Sequence, residues 1–445
     1  MSGRRTSLWA AVSAALLVCG GAPAARAQGA PATLPAAATG VLSSGVQYRI
    51  RPDPAQPAAA VALWFRAPSS GFEPAAVAGL SRLAAATVTA STPISGTSLA
   101  QLVDRWGGRV TVAAYPDSVA VTALVPADHA ERAVRAMTTD FFAPVVDARG
   151  LEIAQRDGLE ATLFRSLGPD AIEDALGAAL FADGPFHDGT IGTGKAIRES
   201  GLERVHAFAE RAFRPGNAIL VLTGGVGADL LRGVASRAGP VTSGAEPAAV
   251  QTPRTAPAPQ RREASIAGTG LGWIGPPIVA EADATALNFV ADAMFAPRTG
   301  LVAKALGTRK ATVTGKFVTY RKPGVFLVTI SGDDAEAARP IVDRVLAEAM
   351  KPMPAAAFEA ARARFVYRIL GDLITPAELA DTFGWYAVEG DPEYAPAEGG
   401  ARGRYFTHAA ALTPDTVARA VATYLGVPPA EVTLVKRSAG TRAPT

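Results

Sequence analysis

The same order of predicted elements occurs twice along this chain, and this repetition limits the folds that the chain can adopt. In the first half "RVTVAAY" turns at "PD" into "SVAVTALV", and the helix "DHAERAVRAMTTDFF" follows. In the second half "TVTGKFVTY" turns at "RKPG" into "VFLVTIS", before the helix "DAEAARPIVDRVLAEAM". Tyr115 and Tyr320, 205 residues apart, end the first strands of the two hairpins. The repeated alternating and helical periodicities predict an α+β fold of two duplicated domains.

Each half also closes in the same way, with a helix followed by a strand. "GLERVHAFAERAF" leads to "NAILVLTGG", and "TPDTVARAVATYL" leads to "EVTLVKR". Between the halves, residues 239–264 are rich in Pro, Ala, Thr and Ser and show no hydrophobic period, which is typical of an extended linker. We therefore expect domains at 28–238 and 265–445, each a sandwich of an antiparallel-rich sheet packed with helices.

The first 27 residues have the layout of a secretory signal peptide. Arg4 and Arg5 precede the apolar run "LWAAVSAALLVCG", and "ARA" forms a cleavage site ending at Ala27. No later segment is apolar for long enough to span a membrane. We expect an exported protein, in the style of a bacterial periplasm, with no membrane span.

Removal of this segment would change the charge and the cysteine content. The net charge of +3 comes from Arg4, Arg5 and Arg26, so the remaining chain is near neutral. A nucleic-acid-binding protein would be expected to carry a basic excess, and this partner class is therefore not predicted. The single cysteine, Cys19, also leaves, which excludes a disulfide or a thiolate metal site.

Four segments in order give the chain a resemblance to a known family. They are "GFEPAAVAGLSRLAAATV", "GPFHDGTIGT", "FRPGNAILVLTGGV" and "TRKATVTGKF". Together with the duplicated pattern they resemble the insulinase and pitrilysin family of zinc metallopeptidases, which includes the mitochondrial processing peptidases. The similarity runs from about residue 40 to 437. It implies two homologous metallopeptidase-like domains and a bacterial periplasmic branch of the family.

The resemblance implies a zinc site whose ligands are missing here. Active members carry H-x-x-E-H, with two histidines on one helical face and a glutamate that acts as general base. In "GLSRLAAATV" the first histidine position is Arg82, the base is Ala85 and the second histidine is Ala86. Alanine has no donor atom and arginine is permanently cationic. Zinc is thus expected in the family but not here. The Arg82 side chain extends off an apolar helix, pairs with a nearby carboxylate, or fills the space of the ion and replaces its charge.

The remaining functional positions of the family are also altered. The third zinc ligand, a glutamate, falls at Thr162, while a shift of two residues would place Glu160 there. An arginine and a tyrosine that stabilise the oxyanion in active members fall at Gly307 and Thr314. Arg309 and Lys310 lie close to the first of these in sequence. The resemblance therefore implies that this chain has no catalytic residues.

The four histidines offer no replacement site. His129, His187, His206 and His408 are not spaced as metal ligands, and surface or loop positions explain them best. We predict a non-catalytic subunit that binds extended peptides and pairs with an active subunit carrying H-x-x-E-H. The alternatives are a stand-alone peptide-binding or scaffolding protein of the cell envelope, or an active peptidase with an unorthodox site using Glu160, His187 or His206.

Overall fold

The part of the chain that the structure describes comes from a computed structural model. It comprises residues 38–66, 78–93, 96–182, 185–227, 230, 252–254, 258–396, 398 and 403–437. The predicted signal peptide and residues 239–251 and 255–257 of the predicted linker lie outside the described residues. Among the helices of the described ranges, none combines the length and the apolar character needed to cross a bilayer.

The first half builds a six-stranded sheet in the order β1-β2-β6-β3-β5-β4. Its strands are β1 Ala38–Val41, β2 Gln47–Pro52, β3 Ala58–Arg66, β4 Arg109–Ala114, β5 Ser118–Pro126 and β6 Ala218–Gly224. Neighbouring strands run antiparallel except β2 and β6, which are parallel. The predicted hairpin of the first half is the β4–β5 pair. Strand β4 lies at one edge of the sheet.

The second half repeats this topology in a five-stranded sheet with the order β7-β11-β8-β10-β9. Its strands are β7 Gln260–Ala264, β8 Gly268–Gly275, β9 Ala311–Val318, β10 Gly324–Gly332 and β11 Ala430–Lys436. Again one pair, β7 and β11, is parallel and the others are antiparallel. The predicted duplication of α/β domains is confirmed. The predicted linker, however, is wrong over its last five residues, because 260–264 form an edge strand of this sheet.

Helices connect the strands at equivalent places in the two halves. In the first half they are α1 Leu80–Ala90, α2 Leu99–Arg105, α3 Ala130–Phe142, α4 Ala148–Ser166, α5 Asp170–Leu180, α6 Pro185–Asp188, α7 Gly194–Glu199 and α8 Leu202–Ala212. In the second half they are α9 Glu281–Phe295, α10 Leu301–Leu306, α11 Ala335–Ala349, α12 Ala355–Gly371, α13 Pro376–Glu389, α14 Arg404–Ala411 and α15 Pro414–Leu425. Thr375 begins α13 with a capping box, in which Glu378 accepts from the backbone N–H of Thr375.

The two halves exchange one helix each. Helix α5 leaves the first half and packs on the second sheet, while α13 leaves the second half and packs on the first sheet. Gly268, Gly270 and Gly272 of β8 leave room for the side chains of α5, since a Cβ on Gly270 would lie 2.6 Å from Ile172. The apolar core is therefore shared between the halves, which fixes the cleft between them.

Candidate functional site

Helix α1 holds the positions where the family would bind zinc, and two glycines fix where it begins. Gly79 precedes the helix with φ 87°, and a Cβ there would overlap the backbone of Ile191. Gly192 has φ 84°, and its Cβ would overlap the carbonyl of Ala78. Both conformations favour glycine. The start of α1 thus lies directly against the loop that follows α6.

Along α1 the three predicted positions differ in exposure. Ala85 is fully buried, whereas Arg82 and Ala86 are half-buried. The helix packs against α4 and α8, and the side chain of Arg82 lies near Gly158 of α4. The region that would need donor atoms is instead lined by two methyl groups and one cation.

The guanidinium of Arg82 lies against α4. Its Nη1 is 3.6 Å from the place that a Cβ on Gly158 would take, which is an ordinary van der Waals contact with this part of α4. Burial lowers the pKa of Arg82, and the carboxylate of Asp157 opposes this effect. An arginine remains protonated even so. A positive charge is therefore held between α1 and α4, one turn before Thr162.

On α4 the polar side chains serve the fold. Gln155 Nε2 donates to the carbonyls of Ile197 at 3.0 Å and Ser200 at 3.2 Å, which ties α4 to the end of α7. Thr162 Oγ1 donates to the Gly158 carbonyl at 3.0 Å. Glu160 is exposed. Thr162, and not Glu160, lines a cavity of about 450 Å³ that it shares with His187 and the loop 189–194.

These residues do not fit zinc. Alanine offers no ligand atom, a guanidinium repels the ion, and a threonine hydroxyl bonded to its own helix is a poor substitute for a carboxylate. Across the described ranges, no group of three or more His, Asp or Glu side chains is placed to hold a metal ion.

The histidines lie apart in the fold. His129 stacks on Trp106 with ring centroids 5.3 Å apart, and His408 Nε2 lies 2.9 Å from Glu281. His206 lies 3.7 Å from Glu210 on the same helix. Each of these three has a local structural partner. His187 is the histidine that lines the cavity beside Thr162.

The second-half positions offer neither a guanidinium nor a phenol. Gly307 ends α10 with φ 61° and has open space where a Cβ would stand. Thr314 lies on β9, and its Oγ1 is 2.7 Å from the hydroxyl of Thr329 on β10. Arg309 is exposed and donates from Nη1 to the carbonyl of Leu306. An arginine is thus present close to Gly307, but the partner tyrosine position is filled by a threonine pair.

A second cavity, of about 470 Å³, adjoins the first and lies between the two halves. The side chains of Arg165 and Asp174 line both cavities, and their atoms Nη2 and Oδ1 are 2.6 Å apart. The last residue of β4, Ala114, and residues of β9 border the second cavity. Both strands are sheet edges. The two cavities form one cleft, and the edge strands β4 and β9 each border this cleft.

Sequence reasoning missed the residues that shape this cleft. Arg165 and Asp174 stand in the ordinary charge pattern of solvated helices, and nothing in it marks a cleft. In the sequence, Tyr115 and Tyr320 mark only the ends of repeated strands. Their equivalent places in a duplicated chain are the signal that could have found them, because equivalent elements meet at the junction of the halves.

Solved structures share this fold. A protease from Helicobacter pylori matches with a TM-score of 0.79 at 16% identity, over 91% of this chain and 100% of that one. The inactive domain of peptidase M16 from Pseudomonas fluorescens matches with a TM-score of 0.73 at 16% identity, over 90% and 97% of the two chains. The chain has the fold of the M16 peptidases.

A chain of complex III2 from Candida albicans also matches, with a TM-score of 0.71 at 12% identity over 89% of this chain and 94% of that one. No known family profile matches the sequence. No curated protein matches it either. At these identities the likeness concerns the fold, and the function must be argued from the site.

Proposed function

We propose that this chain is a non-catalytic M16-type subunit that binds extended peptides and pairs with an active zinc-peptidase subunit. The observation that carries the proposal is the replacement of the metal-binding face of α1. Arg82, Ala85 and Ala86 supply no ligand, and the cation of Arg82 lies against α4. The similarity of the fold to an inactive M16 domain supports the same conclusion.

The cleft supports the peptide-binding part of the proposal. An extended peptide that adds to a sheet edge gains main-chain hydrogen bonds with little sequence preference. The edge strands β4 and β9 both reach the cleft. The proposed partner and location rest on the sequence: the segment 1–27 has the layout of an export signal, and bacterial members of the family that the chain resembles often divide the work between two chains. We propose a bacterial periplasmic location on that basis.

The metal content of the purified protein is the first test. After brief exposure to zinc and removal of loosely bound ions, elemental analysis of the wild type is expected to give near-zero stoichiometry. The matched control restores the donors by the changes Arg82→His, Ala85→Glu, Ala86→His and Thr162→Glu. That variant is expected to hold about one zinc per chain. One tight zinc in the wild type, with chelator-sensitive peptide cleavage, would contradict the proposal.

Peptide binding is tested with a fluorescent extended peptide and with the same peptide N-methylated at alternate residues. Methylation removes main-chain donors without changing the side chains, so affinity should fall if the peptide adds to an edge strand. Equal affinity of both peptides would exclude that mode of binding.

A second candidate function is peptide binding without any catalytic partner. The absence of the arginine–tyrosine pair at Gly307 and Thr314 favours it, because a supporting subunit would be expected to supply that pair. Co-purification with an H-x-x-E-H subunit, and a gain in that subunit's cleavage rate on mixing, would separate the two. A monomer that leaves the rate unchanged would support the second candidate.

A further inference from the structure

Aromatic side chains form the wall of the cavity between the halves. The rings that line it belong to Tyr115, Phe181, Phe186, Tyr320 and Trp385. Trp385 lies 4.8 Å from Tyr115 and 5.2 Å from Tyr320, measured between ring centroids. The rings contact one another across the junction of the halves, so this wall exists before any ligand arrives. A volume of about 470 Å³ is in the range of small-molecule sites.

The cations at the rim of the cavity are already paired. Lys316 Nζ donates to Glu173 at 2.7 Å. Arg165 donates to both carboxylate oxygens of Asp174, at 2.6 and 3.1 Å. Neither cation is left to attract an anionic ligand.

The third carboxylate of the cavity, Asp381, has a neutral neighbour instead. The hydroxyl of Tyr115 donates to its Oδ1 at 3.2 Å. Burial and the nearby Asp381 raise the pKa of Tyr115, so the phenol stays protonated. Among the residues that the structure describes, no Lys or Arg forms an ion pair with Asp381; burial raises the pKa of this carboxyl, and the hydrogen bond from Tyr115 opposes that effect. The lining therefore carries three carboxylates and two cations.

We propose that this cavity binds an organic cation, a guanidinium or alkylammonium group, with Asp381 as its counter-ion. Aromatic rings attract such cations through their quadrupoles, and a carboxylate adds a charge-assisted hydrogen bond. A neutral group of the same shape would leave Asp381 without a cation. The cation has two possible sources, a free small molecule or the side chain of a bound peptide. The inference is independent of whether a catalytic partner exists.

The test compares butylguanidinium with its neutral counterpart butylurea by calorimetry or NMR titration of the purified protein. Butylguanidinium is expected to bind and butylurea is not. Asp381→Asn should weaken butylguanidinium binding about tenfold, the loss expected for removal of one charge-assisted contact. The matched control Asp333→Asn removes an exposed carboxylate on the β10–α11 turn and should have no effect.

A further pair of variants examines the ring wall. Trp385→Phe keeps a ring but weakens the quadrupole, and a loss of a few-fold for the cation is expected. This change also removes the hydrogen bond from Trp385 Nε1 to the Thr319 carbonyl at 3.1 Å and should lower thermal stability, so binding is compared at a temperature at which the variant is fully folded. Binding of butylurea as tight as that of butylguanidinium, or an equal loss in Asp381→Asn and Asp333→Asn, would overturn the proposal. A lack of saturation by any cation tested would also overturn it.

The source of the cation is decided with pentapeptides that carry arginine or citrulline at the centre, since citrulline is the neutral isostere of arginine. If the arginine peptide binds more tightly than butylguanidinium, and Asp381→Asn removes only the arginine preference, the source is a peptide side chain. If butylguanidinium binds and the two peptides do not differ, the source is a free cation. Peptide binding with no preference, together with no butylguanidinium binding, would contradict the inference and leave the proposed peptide binding standing.

Discussion

The two exchanged helices, α5 and α13, pack closely on their sheets in opposite ways. Helix α5 brings large side chains to a strand of glycines, because Gly268, Gly270 and Gly272 of β8 receive Ile172, Leu176 and Leu180. Helix α13 brings a glycine to a large side chain, because Gly384 lies on the indole of Trp64 in β3. A helix can approach a sheet closely when one of the two facing residues is small, and that small residue can belong to the helix or to the strand.

The two contacts also differ in what could move to admit an extra atom. The side chains of α5 that meet β8 end in flexible methyl groups, which can shift by part of an ångström. Trp64 is fully buried and stacks on Tyr115 with centroids 5.3 Å apart. A rigid ring that is packed on both sides cannot move aside. The contact of α13 with β3 should therefore tolerate a smaller increase in side-chain volume than the contact of α5 with β8.

The largest effect is expected for Gly384→Ala. A Cβ at this position would overlap the rigid Trp64 indole, so the cost should lie near the upper end, about 3 kcal/mol, of the range typical for overpacking a core. The gain in helix propensity, about 1 kcal/mol, offsets part of this cost. Urea unfolding should show a net loss of about 2 kcal/mol. The control Gly371→Ala has open space and should be neutral or stabilising; equal behaviour of the two would refute the close contact.

A smaller effect is expected for Gly270→Ala on the other exchanged helix. Its Cβ would lie 2.6 Å from Ile172 Cγ2 and 2.8 Å from Leu176 Cδ1, both at the ends of side chains. We expect a loss of about 1–2 kcal/mol. In a double-mutant cycle, Leu176→Ala should make room for the new methyl, so the double variant should lose less than the sum of the single losses. Strict additivity would show that the two residues do not compete for space.

The end of α13 carries a buried acid pair, and the end of α5 has only apolar residues. Glu389 is 1% exposed and faces Asp117 from the β4–β5 turn. Among the described residues, none donates a hydrogen bond to Asp117 Oδ1 or to Glu389 Oε1, and both atoms are buried. Burial raises the pKa of Asp117, and burial together with the charge of Asp117 raises the pKa of Glu389. The guanidiniums of Arg66 and Arg321 lie beside them and donate to carbonyls of α13.

This pair predicts a pH dependence of stability. Its pKa values are raised in the folded state, so the folded protein binds more protons than the unfolded chain between the ordinary and the raised pKa values. The stability that protonation provides is present below the ordinary carboxyl pKa and is lost as the pH rises through the raised values. The asparagine of the Asp117→Asn variant cannot ionise, so the variant should lose less stability than the wild type as the pH rises, and the difference should shift in its favour by about 1 kcal/mol. Thermal unfolding at several pH values measures this; a constant difference would contradict the shared burial.

The individual strands and helices could be predicted from the sequence, but the exchange of α5 and α13 between the halves could not. The two hairpins and the helices that follow them have clear periods of their own, and they repeat. The strand 260–264 was missed because "QRREA" forms an edge strand exposed along most of its length, which leaves no apolar alternation to detect. Alternate glycines at 268, 270 and 272 permit close packing on a strand, but glycines are also common in turns and loops, so they do not predict it. Nothing in the sequence says which helix fills that groove.

The candidate site, like the fold, could be predicted from the sequence only in part. The identities of residues 82, 85 and 86 follow from one short helical segment, and they decide the donor set. The sequence does not decide whether Thr162 or Glu160 occupies the position of the third zinc ligand. A shift of two residues turns a helix by about 200°, so the two side chains point in nearly opposite directions. The structure places Thr162 on the cavity and Glu160 in solvent. The cleft itself depends on contacts between residues more than a hundred positions apart.

The smallest effect is expected at the surface contact of α5 with the edge of the second sheet. Lys316 Nζ donates to Glu173 at 2.7 Å, and the lysine side chain is 49% exposed. Exposed ion pairs contribute about 0.2–1 kcal/mol, and salt screens them. Glu173→Gln should therefore lower the free energy of unfolding by less than about 0.5 kcal/mol at low salt and by nothing measurable at 1 M salt. A salt-independent loss of more than about 1 kcal/mol would mean that α5, like α13, depends on a polar anchor and not on side chains set into glycines.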